Sequence, residues 1–138
     1  MKTIELDIVT PEGSTFKGEV ESLVLPAHEG ELGVLPGHMP LMCLLKPGEL
    51  RYHVGGKTHS LALTGGFAQV GPAKVTVLAE TAELAQQIDV ARAKAKAAEM
   101  QEQLRGGVRL SEEQMAQIRG AILKELMKVK LAEKSGRS

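Results

Sequence analysis

The sequence predicts an N-terminal antiparallel β sandwich or flattened barrel of about eight to ten strands, followed by a C-terminal antiparallel α-helical hairpin. Three observations carry that fold class. Short period-two segments punctuated by glycine and proline recur as far as Ala79. Turn residues then vanish and alanine rises, so that residues 89–104 contain neither Gly nor Pro. Beyond Gly106-Gly107 the apolar residues return at helical spacing. The division falls as residues 1–84, a sandwich, and residues 85–138, a hairpin able to switch between resting places.

Taken in order, Ile4, Leu6 and Ile8 share one strand face, with Glu5 and Asp7 on the other. Residues 11–14 read as a turn. The alternation resumes from Thr15 to Val20 and slips near Ser22, where Leu23 and Leu25 become the inward set and a bulge accounts for the slip. Leu50, Tyr52 and Val54 alternate with Glu49, Arg51 and His53, and Gly55-Gly56 suits a type I′ turn into the strand at 57–63. Gly65-Gly66 introduces a strand at 67–70, and Gly71-Pro72 turns the chain into 74–78. Phe16, Tyr52 and Phe67 are the only aromatics, so the core is aliphatic. Residues 80–88 read as the connection. In the first helix Ala91, Ala93, Ala95, Ala97 and Ala98 give high propensity and little bulk, permitting close helix packing. Gly106-Gly107 ends it. Ser111 with Gln114 is a capping-box start, and Met115, Ile118, Ile122, Leu126 and Val129 form the apolar stripe of the second helix.

Among 138 residues, seventeen Lys+Arg balance seventeen Asp+Glu, so no global field draws the chain to nucleic acid or an anionic membrane. The start lacks the apolar core of a signal peptide, and no apolar run approaches the roughly 20 residues that span a bilayer. The expectation is a cytoplasmic chain, attached to a membrane only through partners, with no direct insertion. Cys43, the single cysteine, sits in an apolar run and reads as a small buried hydrophobe.

Residues 25–45 are dense in glycine and proline and carry two histidines and two glutamates, which suits an active-site loop, a metal cradle or a docking surface. The four histidines, His28, His38, His53 and His59, lack the paired spacing of a cupin-type metal site, and His53 and His59 would face each other across a hairpin. No metal is expected. No Gly-x-Ser-x-Gly elbow and no phosphate-binding glycine loop occurs. A free-standing enzyme would use His28, His38 or Glu31 in a polar pocket. Glu29 and Glu31 instead form a negative rim on a segment with embedded Leu32, Val34 and Leu35, the pattern of an ordered docking surface. At the first helix, Asp89 can cap the backbone and pair with Arg92. The alternative is that Asp89 and Arg92, with Glu83 close by, contact a nucleotide.

The chain closely resembles the epsilon subunit of F-type ATP synthases along nearly its whole length. The resemblance is carried by Glu29-Gly30-Glu31-Leu32-Gly33-Val34-Leu35-Pro36-Gly37-His38-Met39-Pro40-Leu41, Leu45-Lys46-Pro47-Gly48, Gly65-Gly66-Phe67, Val75-Thr76-Val77-Leu78-Ala79, and Ile88-Asp89-x-x-Arg92-Ala93. It implies a non-catalytic rotor subunit of the proton-translocating enzyme, at the cytoplasmic face of the cell membrane. Its sandwich would bind the gamma subunit and the ring of c subunits. Glu29, Gly30, Glu31, Leu32 and Gly33 would belong to the ring-facing surface, with His38 near gamma. The hairpin would reach the alpha/beta catalytic head and restrain ATP hydrolysis, with Lys124, Lys128 and Lys130 meeting acidic residues of the beta subunit.

Family members that hold ATP in the folded hairpin match at Ile88, Asp89, Arg92 and Ala93, and Glu83 is also present. Those members bring further arginines from both helices. This chain has Glu99, Leu126 and Lys130 at the aligned places, with Arg105 and Arg119 the nearby arginines. Lysine lacks the planar fork that suits phosphate. The resemblance therefore implies weak or absent ATP binding and no resident cofactor.

Overall fold

The computed structural model describes residues 2–106 and 109–134. The chain divides into two compact units, Met1–Leu84 and Ala85–Ser138. The first holds ten strands: β1 Ile4–Thr10, β2 Gly13–Val20, β3 Ser22–Ala27, β4 Gly30–Val34, β5 Leu41–Leu45, β6 Gly48–Val54, β7 Lys57–Leu63, β8 Gly66–Val70, β9 Lys74–Ala79 and β10 Ala82–Leu84. They form one continuous sheet in the order β10-β7-β6-β3-β5-β8-β9-β1-β2, with β4 attached to β3 outside this path. The sheet folds over on itself. Phe16 of β2 reaches Tyr52 of β6 with ring centroids 4.6 Å apart, which draws the far end of the path back to its other half.

The core is aliphatic, as its composition requires. Ile4, Leu6 and Ile8 are fully buried, together with Leu23, Leu25, Leu50, Leu61, Leu63, Val75 and Val77 from alternate positions of the facing strands. Each buried leucine or isoleucine contributes about 1.5–3 kcal/mol, so these positions hold the register of every strand they lie on.

Several details differ from the sequence expectations. The β1–β9 pair is parallel, with Leu6 beside Val75 and Ile8 beside Val77. Only strands joined by a tight turn must run antiparallel, and these two are joined by most of the sandwich. The phase slip near Ser22 is not a bulge. There β2 ends on β1 and β3 begins on β6, with Glu21 at the corner donating its N–H to the His53 carbonyl at 2.8 Å. The irregular register lies instead between Ile8 and Val9, opposite Phe16 and Ser14. Residues 25–45 are mostly strand, because Gly30–Val34 folds back on β3 and Leu41–Leu45 joins β8. Only residues 35–40 connect them irregularly. Finally, His53 and His59 do not face each other. The two-residue turn at Gly55 and Gly56, φ 60° and 76°, pairs Val54 with Lys57, which places His53 opposite Thr58 and stacks His59 on Tyr52.

Residues 80–88, expected as a plain connection, contain β10 and a 3-10 turn at Ala85–Gln87. In the second unit, helices α1 Val90–Arg105 and α2 Glu112–Lys134 pack on each other. Asp89 caps α1 by accepting the Arg92 backbone N–H at 3.0 Å. The end of α1 at Gly106 is not left-handed, its φ being −77°, so this glycine is not needed for a positive angle; Gly107 lies outside the described residues. Ser111 and Gln114 form the reciprocal capping box, each side chain accepting the other's backbone N–H, at 3.1 and 2.9 Å. The buried residues of α2 are Ile122, Val129, Leu131 and Ala132. Leu126, expected on the apolar stripe, is 41% exposed, whereas the paired Glu125 and Lys128 side chains are each 14% exposed.

Candidate functional site

The acidic rim is built by the β3–β4 hairpin. Ala27 pairs with Gly30 and Pro26 with Glu31, so Glu29 occupies the tip and Glu31 the first turn of the edge strand. Gly30 takes φ 136°, a left-handed angle that favours glycine. Leu32 is half-buried against the core, and Gly33 is exposed. Glu31, its side chain 59% exposed, accepts a hydrogen bond from Arg51 Nη1 at 2.9 Å, and Glu49 accepts one from the same nitrogen at 2.8 Å. Hydrogen bonds to Glu31 and then Glu49 push the Arg51 pKa above its ordinary value.

His38 does not belong to that rim. Its segment is fixed at the opposite end of the strands, where the Gly37 N–H donates to the Pro72 carbonyl at 2.8 Å and His38 Nδ1 lies 2.7 Å from the Met39 carbonyl oxygen. Leu41, which follows, pairs with Val70, whereas Leu45 at the other end of β5 lies beside Ala27 at the base of the acidic hairpin. The structure thus separates the six expected docking residues into two places.

A second surface was not singled out from the sequence. Leu44 of β5 pairs with Phe67 of β8, Phe67 with Leu78 of β9, and Leu78 with Val9 of β1, so one apolar row crosses four strands on the outer face. Met42 and Leu44 are 65% and 66% exposed. The signal was available: in the run at 41–45, period two puts Met42 and Leu44 opposite Leu41, Cys43 and Leu45, so apolar residues on both faces mean that one of them is not core. Cys43 is half-buried against the core, and desolvation pushes its thiol pKa up, the mark of an inert side chain. Among the described residues no group of three or more His, Cys, Asp and Glu could hold a metal ion.

The expected nucleotide residues lie in different settings. Ile88 and Ala93 are buried, the Asp89 carboxylate caps α1, and Arg92 is exposed. Glu83 belongs to the first unit, where β10 places it beside Ala62 of β7. The three lysines of α2 also differ. Lys128 lies 3.6 Å from Glu125 with both side chains 14% exposed, Lys124 is half-buried, and Lys130 is exposed. Lys130, six residues beyond Lys124, leaves the helix from another side.

The chain is thus a two-part protein, a ten-stranded sandwich with an acidic edge and an apolar outer row followed by a capped helical pair. The family model described as ATP synthase, Delta/Epsilon chain, beta-sandwich domain matches residues 3–85. An ATP synthase epsilon chain of Desulforamulus reducens is 45% identical over 132 residues, covering 96% of this chain and 98% of that one. The ATP synthase epsilon chain of Anoxybacillus flavithermus is 50% identical over 95 residues, covering 69% and 71%. The fold matches a chain in the cryo-EM structure of the Euglena gracilis mitochondrial ATP synthase, OSCP/F1/c-ring, with TM-score 0.74 and 23% identity, covering 97% of this chain and 81% of that one. The chain belongs to the delta/epsilon family of ATP synthase subunits.

Proposed function

We propose that the protein is a central-stalk rotor subunit that links the gamma subunit to the ring of c subunits and restrains ATP hydrolysis through its helical hairpin. The observation that carries this reading is the apolar row Leu44, Phe67, Leu78 and Val9. The strands already bury their other face, so an apolar band across four of them is stable in water only at a cost that a partner surface removes. Gamma is the partner assigned to that row and to the His38 segment; the ring is assigned to Glu29, Gly30, Glu31, Leu32 and Gly33. Such a subunit transmits torque and carries out no chemistry of its own. It sits peripherally at the cytoplasmic face of the membrane, in keeping with described helices none of which is long and apolar enough to cross one.

Inhibition is assigned to the hairpin reaching the alpha/beta head, with Lys124, Lys128 and Lys130 meeting acidic groups of the beta subunit. Lys128 must exchange Glu125 for its new partner to do so, whereas Lys130 is already exposed. The test is a pull-down from native membranes with the full-length chain and with Leu44→Asp. Gamma should be recovered with the former and lost with the latter, while thermal unfolding of the free chain is unchanged. Recovery of gamma at the same level with Leu44→Asp would remove the apolar row as its seat. Truncation after Ile88 should leave gamma binding intact and raise ATPase activity of the assembled complex; unchanged inhibition would exclude the hairpin as the brake.

A further inference from the structure

Arg51 projects from the outer face of β6, since its neighbours Leu50 and Tyr52 are buried. The register sets Arg51 beside Val24 of β3 and Val24 beside Gly33 of β4, so three strands lie in one row. Glu31 is two residues from Gly33 on the same face of β4, and its carboxylate meets the guanidinium at 2.9 Å across the intervening strand. β4 pairs with β3 alone, so this bridge ties the edge strand to the body of the sandwich. Glu49, two residues away on the same face of β6 and mostly buried, accepts a second hydrogen bond from the same nitrogen, which keeps Arg51 in place.

We infer that Arg51 is a positioning residue for the acidic edge, holding the Glu31 carboxylate at a fixed place where a cationic side chain of the docking partner meets it. This role rests on the proposed docking of the acidic edge. A glutamate on an edge strand otherwise samples several rotamers and loses that freedom on association, whereas a clamped one has lost it already; the difference amounts to about twofold to tenfold in affinity. Arg51 keeps Glu49 as an acceptor whichever way Glu31 turns, so an approaching cation does not strand the guanidinium. It follows that reversing the Glu31 charge would change two things together, the charge offered to the partner and the bridge to Arg51.

A double-mutant cycle separates them. Complex depleted of this subunit is reconstituted with the full-length chain carrying Glu31→Gln, Arg51→Gln, both, or Arg51→Lys. The concentration for half-maximal reassembly is read, with thermal unfolding of each free chain alongside. Arg51→Gln should raise that concentration by about twofold to tenfold in the native background and by less than about twofold beside Glu31→Gln, and Arg51→Lys should recover part of the loss. Should Arg51→Gln fail to fold, Arg51→Lys takes its place in the cycle. Equal factors in both backgrounds, or no effect of the Arg51 change while Glu31→Gln weakens reassembly, overturn the positioning role and leave the acidic edge standing. Unaltered reassembly with both Glu31→Gln and Arg51→Gln overturns the acidic edge as well.

Discussion

Lys128 Nζ lies 3.6 Å from Glu125 Oε1 one turn earlier in α2, and the two side chains are equally withdrawn from water, each 14% exposed. Removing one member takes this opposite charge from a side chain that is largely withdrawn from water. Glu125→Ala should therefore cost about 1 kcal/mol, above the 0.2–0.5 kcal/mol typical of exposed pairs on a helix. Adding Lys128→Met should return most of it. Urea unfolding followed by helical circular dichroism reads both; losses that simply add would show the pair to be uncoupled.

The reciprocal cap at Ser111 and Gln114 satisfies two backbone N–H groups that α2 cannot satisfy internally. Ser111→Ala should cost about 1 kcal/mol and speed amide exchange in the first turn of α2, near Glu112 and Glu113. Exchange at the α1 start, capped independently by Asp89, should not move. Acceleration spread evenly over both helices would mean that the cap acts on the whole hairpin rather than locally.

Desolvation raises the Cys43 thiol pKa above its ordinary 9.0, so folding favours the protonated form. The sign follows from linkage: this contribution to stability is fully present below the unfolded thiol value and is lost as pH rises through the higher folded value. Alkylation by iodoacetamide at neutral pH should be slower than for a free thiol and should accelerate only at alkaline pH. Stability of Cys43→Ala should fall less than that of the native chain across the same alkaline range. Rapid labelling at pH 7 would contradict a shielded, neutral thiol.

Of the side chains expected to hold a nucleotide in the second unit, Arg92 alone presents an exposed charge not engaged in a cap, since Asp89 accepts the first-turn N–H and Ile88 and Ala93 are buried. A single guanidinium without a phosphate cradle is a weak site. Calorimetric titration of ATP into the chain should find no association tighter than roughly 100 μM, and Arg92→Ala should leave the trace unaltered. Micromolar binding that disappears with Arg92→Ala would reverse this assignment.

The periodic features were legible because each depends on neighbours in sequence. Ile4, Leu6 and Ile8 had to share a face once a strand was assigned, and Ser111 needed only Gln114 three residues on. What escaped depends on residues far apart. The Arg51–Glu31 bridge exists because β3 lies between β6 and β4, and no local pattern places those two side chains in reach. His53 and His59 miss each other by one register step, since the two-residue turn pairs His59 with Tyr52. Leu126 satisfied helical spacing and still faces outward, because a stripe defined by hydrophobicity alone overlooked that Glu125 and Lys128 can be buried as a pair. The separation of His38 from Glu31 likewise depends on pairing, since β4 runs away from the acidic hairpin along β3 and only β5 returns the chain to the side of Ala27.

The parallel seam between β1 and β9 sets the order in which the sandwich can be completed. β1 and β2 can zip together as soon as residue 20 has emerged from the ribosome, but the other edge of β1 must wait for Lys74–Ala79, the last strand but one. Until then the nascent hairpin carries an open edge and the aliphatic faces of Ile4, Leu6 and Ile8, which is the kind of surface that recruits foreign strands. Closure of the domain is therefore a late, long-range event that depends on nearly the whole length of the first unit. A stalled or shortened chain ending before β9 would be hazardous to its cell as well as incomplete.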